Sequence, residues 1–160
     1  PGSFSLKSLT AFRTMSINEA KLLSKACALA VKDHNKKNMR IICGASQTPG
    51  LLNFFSKDRE QHINLGQFGL AYSELLTLAD NHLLFIQQAE TSPIAKGDTI
   101  QLSYNGKSLI LSAAKSNCLL SFYKFTPIGA ELAQLIVDNP NQQYLTTLEQ
   151  SFSGLFDISQ

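Results

Sequence analysis

The chain has no tryptophan, two methionines and three cysteines in 160 residues, and Cys27, Cys43 and Cys118 stand far apart. A structural zinc site needs ligand pairs such as Cys-x-x-Cys, and a disulfide scaffold needs a denser, even set, so neither is expected. Isolated thiols among apolar neighbours are expected to be buried and inert in a reducing compartment. Charge is scarce as well. Asp, Glu, Lys and Arg make up 16% of the chain and leave a net charge of +2, well short of a basic domain that announces nucleic acid by itself. No apolar run approaches the ~20 residues of a membrane span, and the start shows no charged-then-apolar secretory leader. The first residue is not methionine. The expectation is a cytoplasmic, membrane-independent piece of a longer protein.

Constellations that carry chemistry are also missing. There is no glycine-rich phosphate loop and no nucleophile elbow. His34, His62 and His82 are isolated, and Asp58, Glu60, Glu74, Asp80 and Glu90 show no pairing at helical or strand spacing. No catalytic residue, metal ligand or cofactor is assigned, and the expected role is non-enzymatic.

What is present is a well-patterned α+β chain of one domain. Leu6, Leu9 and Phe12 have helical spacing within a leading segment of residues 1–15. Ser16 and Glu19 then form a capping box, each side chain serving the other's backbone amide. The pattern predicts a helix from Ile17 to about Asn35, a buried strand over Met39 to Cys43, and a short helix carrying Leu51, Leu52, Phe54 and Phe55. Phe68, Leu70, Ala71, Leu75, Leu78 and Ala79 predict a helix over 67–79, and Leu83 to Ile86 a short buried strand. The clearest local signal is a hairpin over 99–113. Ile100, Leu102 and Tyr104 alternate with polar residues, and Asn105-Gly106 supplies a type I′ turn. Cys118 to Phe125 is a further strand, running into a helix capped by Thr126 with Pro127 at its first position. Asn139 and Pro140 stop that helix, and Tyr144, Leu145, Leu148, Phe152, Leu155 and Phe156 predict a last amphipathic helix over 141–160.

The order of helix, apolar strand, hairpin and then Tyr123, Phe125, Thr126, Gly129, Glu131 and Leu132 resembles the wing and closing helix of bacterial winged helix-turn-helix regulators of the MarR and PadR type. Phe125 stands where those families usually have Leu. The resemblance implies a winged-helix-like core over 16–138 with a small antiparallel sheet, and a homodimer through the C-terminal helix. A second likeness spans residues 1–137. Pro1, Gly2, Ser3, Phe4, Ser5, Leu6 and Leu9, then Ser16, Glu19 and Ala20, with the closing Thr-x-x-Gly-x-Glu-Leu, resemble the C-terminal domain of a group of uncharacterised bacterial proteins. It implies no activity.

Two functions fit these features. One is an interaction or sensing module of a larger bacterial protein, bound to a protein partner or an upstream domain through Leu51, Phe54 and Phe55 or through Phe152 and Phe156. The alternative is a DNA-binding regulator that places Gln67, Tyr72 and Ser73 in the major groove and Lys107 of the wing tip on the backbone, with Lys36, Lys37 and Arg40 on phosphate. Against the alternative, no Arg or Lys lies between residues 60 and 95. The cluster at 36–40 also has a plainer reading, as cations placed favourably at a helix C-terminus.

Overall fold

The computed structural model describes residues 3–35, 38–50 and 59–160. Among these residues the helices are α1 (Leu6–Thr14), α2 (Ile17–Leu29), α3 (Tyr72–Asp80), α4 (Pro127–Ala133) and α5 (Gln142–Ser151). The strands are β1 (Ala30–Asp33), β2 (Met39–Gln47), β3 (Arg59–His62), β4 (Ala89–Glu90), β5 (Thr99–Tyr104), β6 (Lys107–Ala113), β7 (Cys118–Lys124) and β8 (Phe156–Ser159). The α+β class is as expected, but the small sheet is not. One eight-stranded sheet runs β4-β7-β2-β1-β5-β6-β8, with β3 also beside β2, and every pairing is antiparallel.

The hairpin forms as its sequence dictates. Asn105 (φ 44) and Gly106 (φ 83) take the two left-handed positions of the turn, and Tyr104 faces Lys107. It is not a projecting wing, however. β5 is flanked by β1 and β6 by β8, so the hairpin lies inside the sheet. Its tip is tied down too: the Asn139 amide donates to Asn105 Oδ1 at 3.1 Å.

α2 begins on its predicted capping box, with the Ser16 amide donating to Glu19 Oε2 at 2.7 Å and the Glu19 amide to Ser16 Oγ at 3.2 Å. It stops at Leu29 instead of about Asn35. The hairpin explains the early end. Tyr104 Oη and Asn105 Nδ2 both donate to the Ala28 carbonyl, satisfying a terminal acceptor that would otherwise call for another turn. Val31 is then drawn between Arg40 of β2 and Tyr104 of β5, a pairing that suits a β-branched residue better than a helix end does.

Further boundaries differ from their sequence pattern: the helix expected to run on to Asn139 ends at Ala133, leaving Leu135 and Val137 exposed. The helix expected over 67–79 is split: Leu65–Phe68 is a single 3-10 turn closed by Gly69 (φ 84), and α3 starts only at Tyr72. Leu83 to Ile86 forms no strand, only an isolated bridge between Leu84 and Phe125. The helix expected over 141–160 ends at Ser151, because Gly154 (φ 88) reverses the chain and Phe156 pairs with Ala113. Phe152 and Phe156 are consequently 0% and 1% exposed and belong to the core, not to an interface.

That core draws residues from Leu23 to Phe156. Successive residues of β2 from Ile41 to Ala45, and of β7 from Cys118 to Tyr123, are all buried. A strand buried at every position is covered on both sheet faces. β6 of the hairpin instead alternates, with Leu109, Leu111 and Ala113 inward.

Candidate functional site

Two segments far apart in sequence meet where α1 rests on α4. Ser5 caps α1, accepting from the Ser8 amide at 3.2 Å, while its own amide donates to Glu131 Oε2 at 2.8 Å. Ser8, wholly buried, accepts from the Ser5 hydroxyl at 3.0 Å. The hydrogen bonds from the Ser8 side chain and then the Ser5 backbone hold Glu131 below the usual carboxylate range. Residue 131 thus latches the first helix to the fourth.

The rest of the Thr-x-x-Gly-x-Glu-Leu segment is equally structural. Thr126 Oγ1 accepts from the Gly129 amide at 3.0 Å and donates to the His82 carbonyl at 2.5 Å. Gly129 lies so close to the chain after α3 that a Cβ there would fall 2.0 Å from the Leu83 carbonyl oxygen. That chain is itself held by a helix-ending turn in which the Leu83 amide reaches Leu78 O and the His82 amide reaches Ala79 O, both at 2.9 Å. His82 occupies the left-handed position, φ 59, that glycine fills most cheaply.

Between these anchors α1 roofs a cleft of about 980 Å³, bounded by the start of α2, the end of α3 and α4. Leu6, Met15, Pro127 and Ile128 give it apolar walls, and Glu19, Asp80, Glu131 and Lys7 supply its charges. Glu19 is also held below the usual carboxylate range, first by the Ser16 backbone amide and then by the Ser16 hydroxyl. α1 exposes Leu6 (80%), which lines the rim of the cleft, and Leu9 (47%) and Phe12 (57%), which do not line it. Its fully buried residue is a serine. Lys7, Thr10, Arg13 and Thr14 are exposed as well, while Ala11 and Met15 pack against the core, so α1 departs from the usual surface helix, apolar side in, in leaving three large apolar side chains uncovered.

The residues expected to touch DNA are dispersed. Arg40 forms an ion pair with Asp33 on the neighbouring strand and lays its guanidinium 4.8 Å from the centre of the Phe122 ring. Gln67 lies on the 3-10 turn, separated by Gly69 from Tyr72 and Ser73, which are exposed in the first turn of α3. Lys107 is exposed on β6. Lys36, Lys37, Leu51, Phe54 and Phe55 lie outside the described residues. The cysteines are free and buried, and burial pushes Cys27 and Cys43 up to about 12 and Cys118 upward. Among the described residues no group of three or more His, Cys, Asp or Glu is placed to hold a metal ion, and no helix is long and apolar enough to cross a membrane.

Helical periodicity marks Leu6, Leu9 and Phe12 as sharing a side of α1 but carries no sign that they stay exposed. The cleft beneath them has no local signal, since its walls come from four separate helices.

A family model described as "Protein of unknown function (DUF2806)" matches residues 1–149. No curated protein and no solved structure matches the chain.

Proposed function

The chain belongs to this DUF2806 family of proteins of unknown function, and we propose that it is a non-enzymatic interaction module of a larger bacterial protein, docking a protein partner on α1 and the cleft below it. The observation that carries this reading is the exposed apolar stripe of Leu6, Leu9 and Phe12 on a helix latched in place at Glu131. Fully burying a Leu or Phe side chain stabilises by roughly 1.5–3 kcal/mol. A partner covering three half-exposed or more exposed side chains therefore has several kcal/mol of gross gain to set against the cost of association. The two glutamates at the cleft are occupied as caps for backbone amides, which favours a docking role over acid-base work. Three free buried thiols favour a reducing, cytoplasmic setting.

The DNA alternative and its winged-helix geometry draw less support. Arg40 is engaged with Asp33, the hairpin tip is bound to residue 139, and the residues meant for base contacts do not share one helix. The homodimer through the C-terminal helix likewise loses its apolar face to the core at Tyr144, Leu145 and Leu148.

The test is a photo-crosslinking amino acid placed at Phe12 in cells making the whole protein, with the half-exposed Phe85 as control. A discrete adduct from position 12 and none from 85 is expected. Adducts from neither, together with salt-steep binding of random duplex DNA by fluorescence anisotropy, would replace this reading with the DNA one.

A further inference from the structure

Resting on the interaction reading, the cleft also specifies the partner's chemistry. Its wall follows α1 from Ser5 to Met15, so the nine-residue helix gives a trough roughly 14 Å long at 1.5 Å per residue. A length of that order accommodates more than two turns of a second helix laid alongside, and its volume of about 980 Å³ reaches the top of the range typical of small-molecule sites. Leu6, Met15, Pro127 and Ile128 provide apolar surface in the trough.

The charges are one-sided. Glu19, Asp80 and Glu131 bring three carboxylates against the single ammonium of Lys7, in a chain whose net charge is +2. Negative potential is thus concentrated where the apolar trough lies. Two of the three carboxylates are held ionised by their hydrogen bonds to Ser16 and to Ser8 and Ser5.

We infer that the cleft between α1 and the α3–α4 corner receives a basic amphipathic helix of a partner protein, its apolar residues in the trough and its Lys or Arg residues facing Glu19, Asp80 and Glu131. This is helix-in-groove recognition with charge setting orientation and selectivity. A second copy of this chain is a poor occupant, because the segment it would offer in exchange, α1 with Lys7 and Arg13, also lines or borders the cleft it would have to enter.

The test uses three labelled helical peptides with one leucine pattern, bearing Arg, Gln or Glu at the polar positions, titrated by anisotropy onto the whole chain at low and high salt. The Arg peptide binds tightest, the Gln peptide more weakly and the Glu peptide least, and added salt narrows the spread. Asp80→Lys, at an exposed position, weakens the Arg peptide by about threefold to tenfold and strengthens the Glu peptide. Thr10→Trp, which projects a large ring into the trough, abolishes binding of all three with the melting temperature kept.

Equal affinity for Arg and Glu peptides, or an Arg peptide indifferent to Asp80→Lys, overturns the inference. Arg-peptide binding that survives Thr10→Trp overturns its location. Self-association removed by Thr10→Trp would assign the cleft to a second copy, and occupancy by a long-chain alkylammonium without peptide binding would assign it to a small cationic amphiphile. Failure of every peptide with crosslinks from position 12 retained would reject this inference alone; loss of the crosslinks as well would reject the interaction reading with it.

Discussion

Gly129 sits in the first turns of a helix, where local propensity and tertiary geometry make opposite demands. In a helix interior Gly→Ala ordinarily stabilises by roughly 0.5–1 kcal/mol, through reduced backbone entropy loss. Here the added Cβ would lie 2.0 Å from the Leu83 carbonyl oxygen, 2.9 Å from its carbon and 3.1 Å from its Cα. Carbon needs more than 3 Å from such atoms, so α4 must retreat by over about 1 Å or the 82–84 segment must shift. Either movement strains the Thr126 to His82 hydrogen bond and the latch at Ser5. Overpacking of a rigid contact costs typically 1–3 kcal/mol and occasionally more; with two backbone segments facing each other the expected loss for Gly129→Ala is about 3 kcal/mol. In a domain of this size that lowers the melting temperature by about 6–12 °C. Urea unfolding should show a lower midpoint with an unchanged slope. Gly50→Ala, with no described residue within 4 Å of the added Cβ, should stay within about 0.5 kcal/mol of the parent. A Gly129→Ala protein as stable as the parent, or more so, would mean that α4 does not rest on Leu83 and that the roof of the cleft is wrongly placed.

Replacing His82 by Gly should raise stability by up to about 1 kcal/mol, since relief of a left-handed backbone at φ 59 outweighs the greater freedom of the unfolded chain; a loss on thermal melting would show that the His82 side chain holds structure. Glu131 is depressed in the folded state, so its contribution is present at neutral pH and fades as pH falls through the folded value, below the usual carboxylate range. Glu131→Gln should therefore flatten the acid side of the melting-temperature profile, and an identical profile would refute the latch. With Cys27 and Cys43 at about 12 and Cys118 raised, all three thiols should resist a disulfide reagent at neutral pH and react together on unfolding. Fast labelling of any one in the native protein would contradict its burial.

Elements fixed by local chemistry were legible in the sequence. The capping box at Ser16 and Glu19, the Asn105-Gly106 turn, and Thr126 with Pro127 each carry a mechanism confined to a few residues, and each appears where its residues put it. Boundaries decided by distant partners were not. Helical periodicity runs on past Leu29, yet Tyr104 and Asn105 end α2 there from more than seventy residues away. The apolar spacing of residues 144 to 156 suits one helix, yet Gly154 turns the chain so that Phe156 completes the sheet beside β6. The winged-helix likeness rested on a hairpin followed by a capped helix, a pair that this eight-stranded sheet contains as well.

The candidate site shows the same division at one helix. Periodicity establishes that Leu6, Leu9 and Phe12 share one side of α1, and the ordinary assumption is that an apolar side faces the core. Which side is buried depends instead on what the helix is fastened to. Here the Ser5 amide is fastened to Glu131 of α4, more than 120 residues later, and Ser8 is buried beside it, so this side of α1 is the one turned toward α4. Leu9 and Phe12 are thereby left outside. The hydrogen bonds that hold α1 also decide what it presents, so a variant that frees Glu131 should loosen the helix and hide its stripe together.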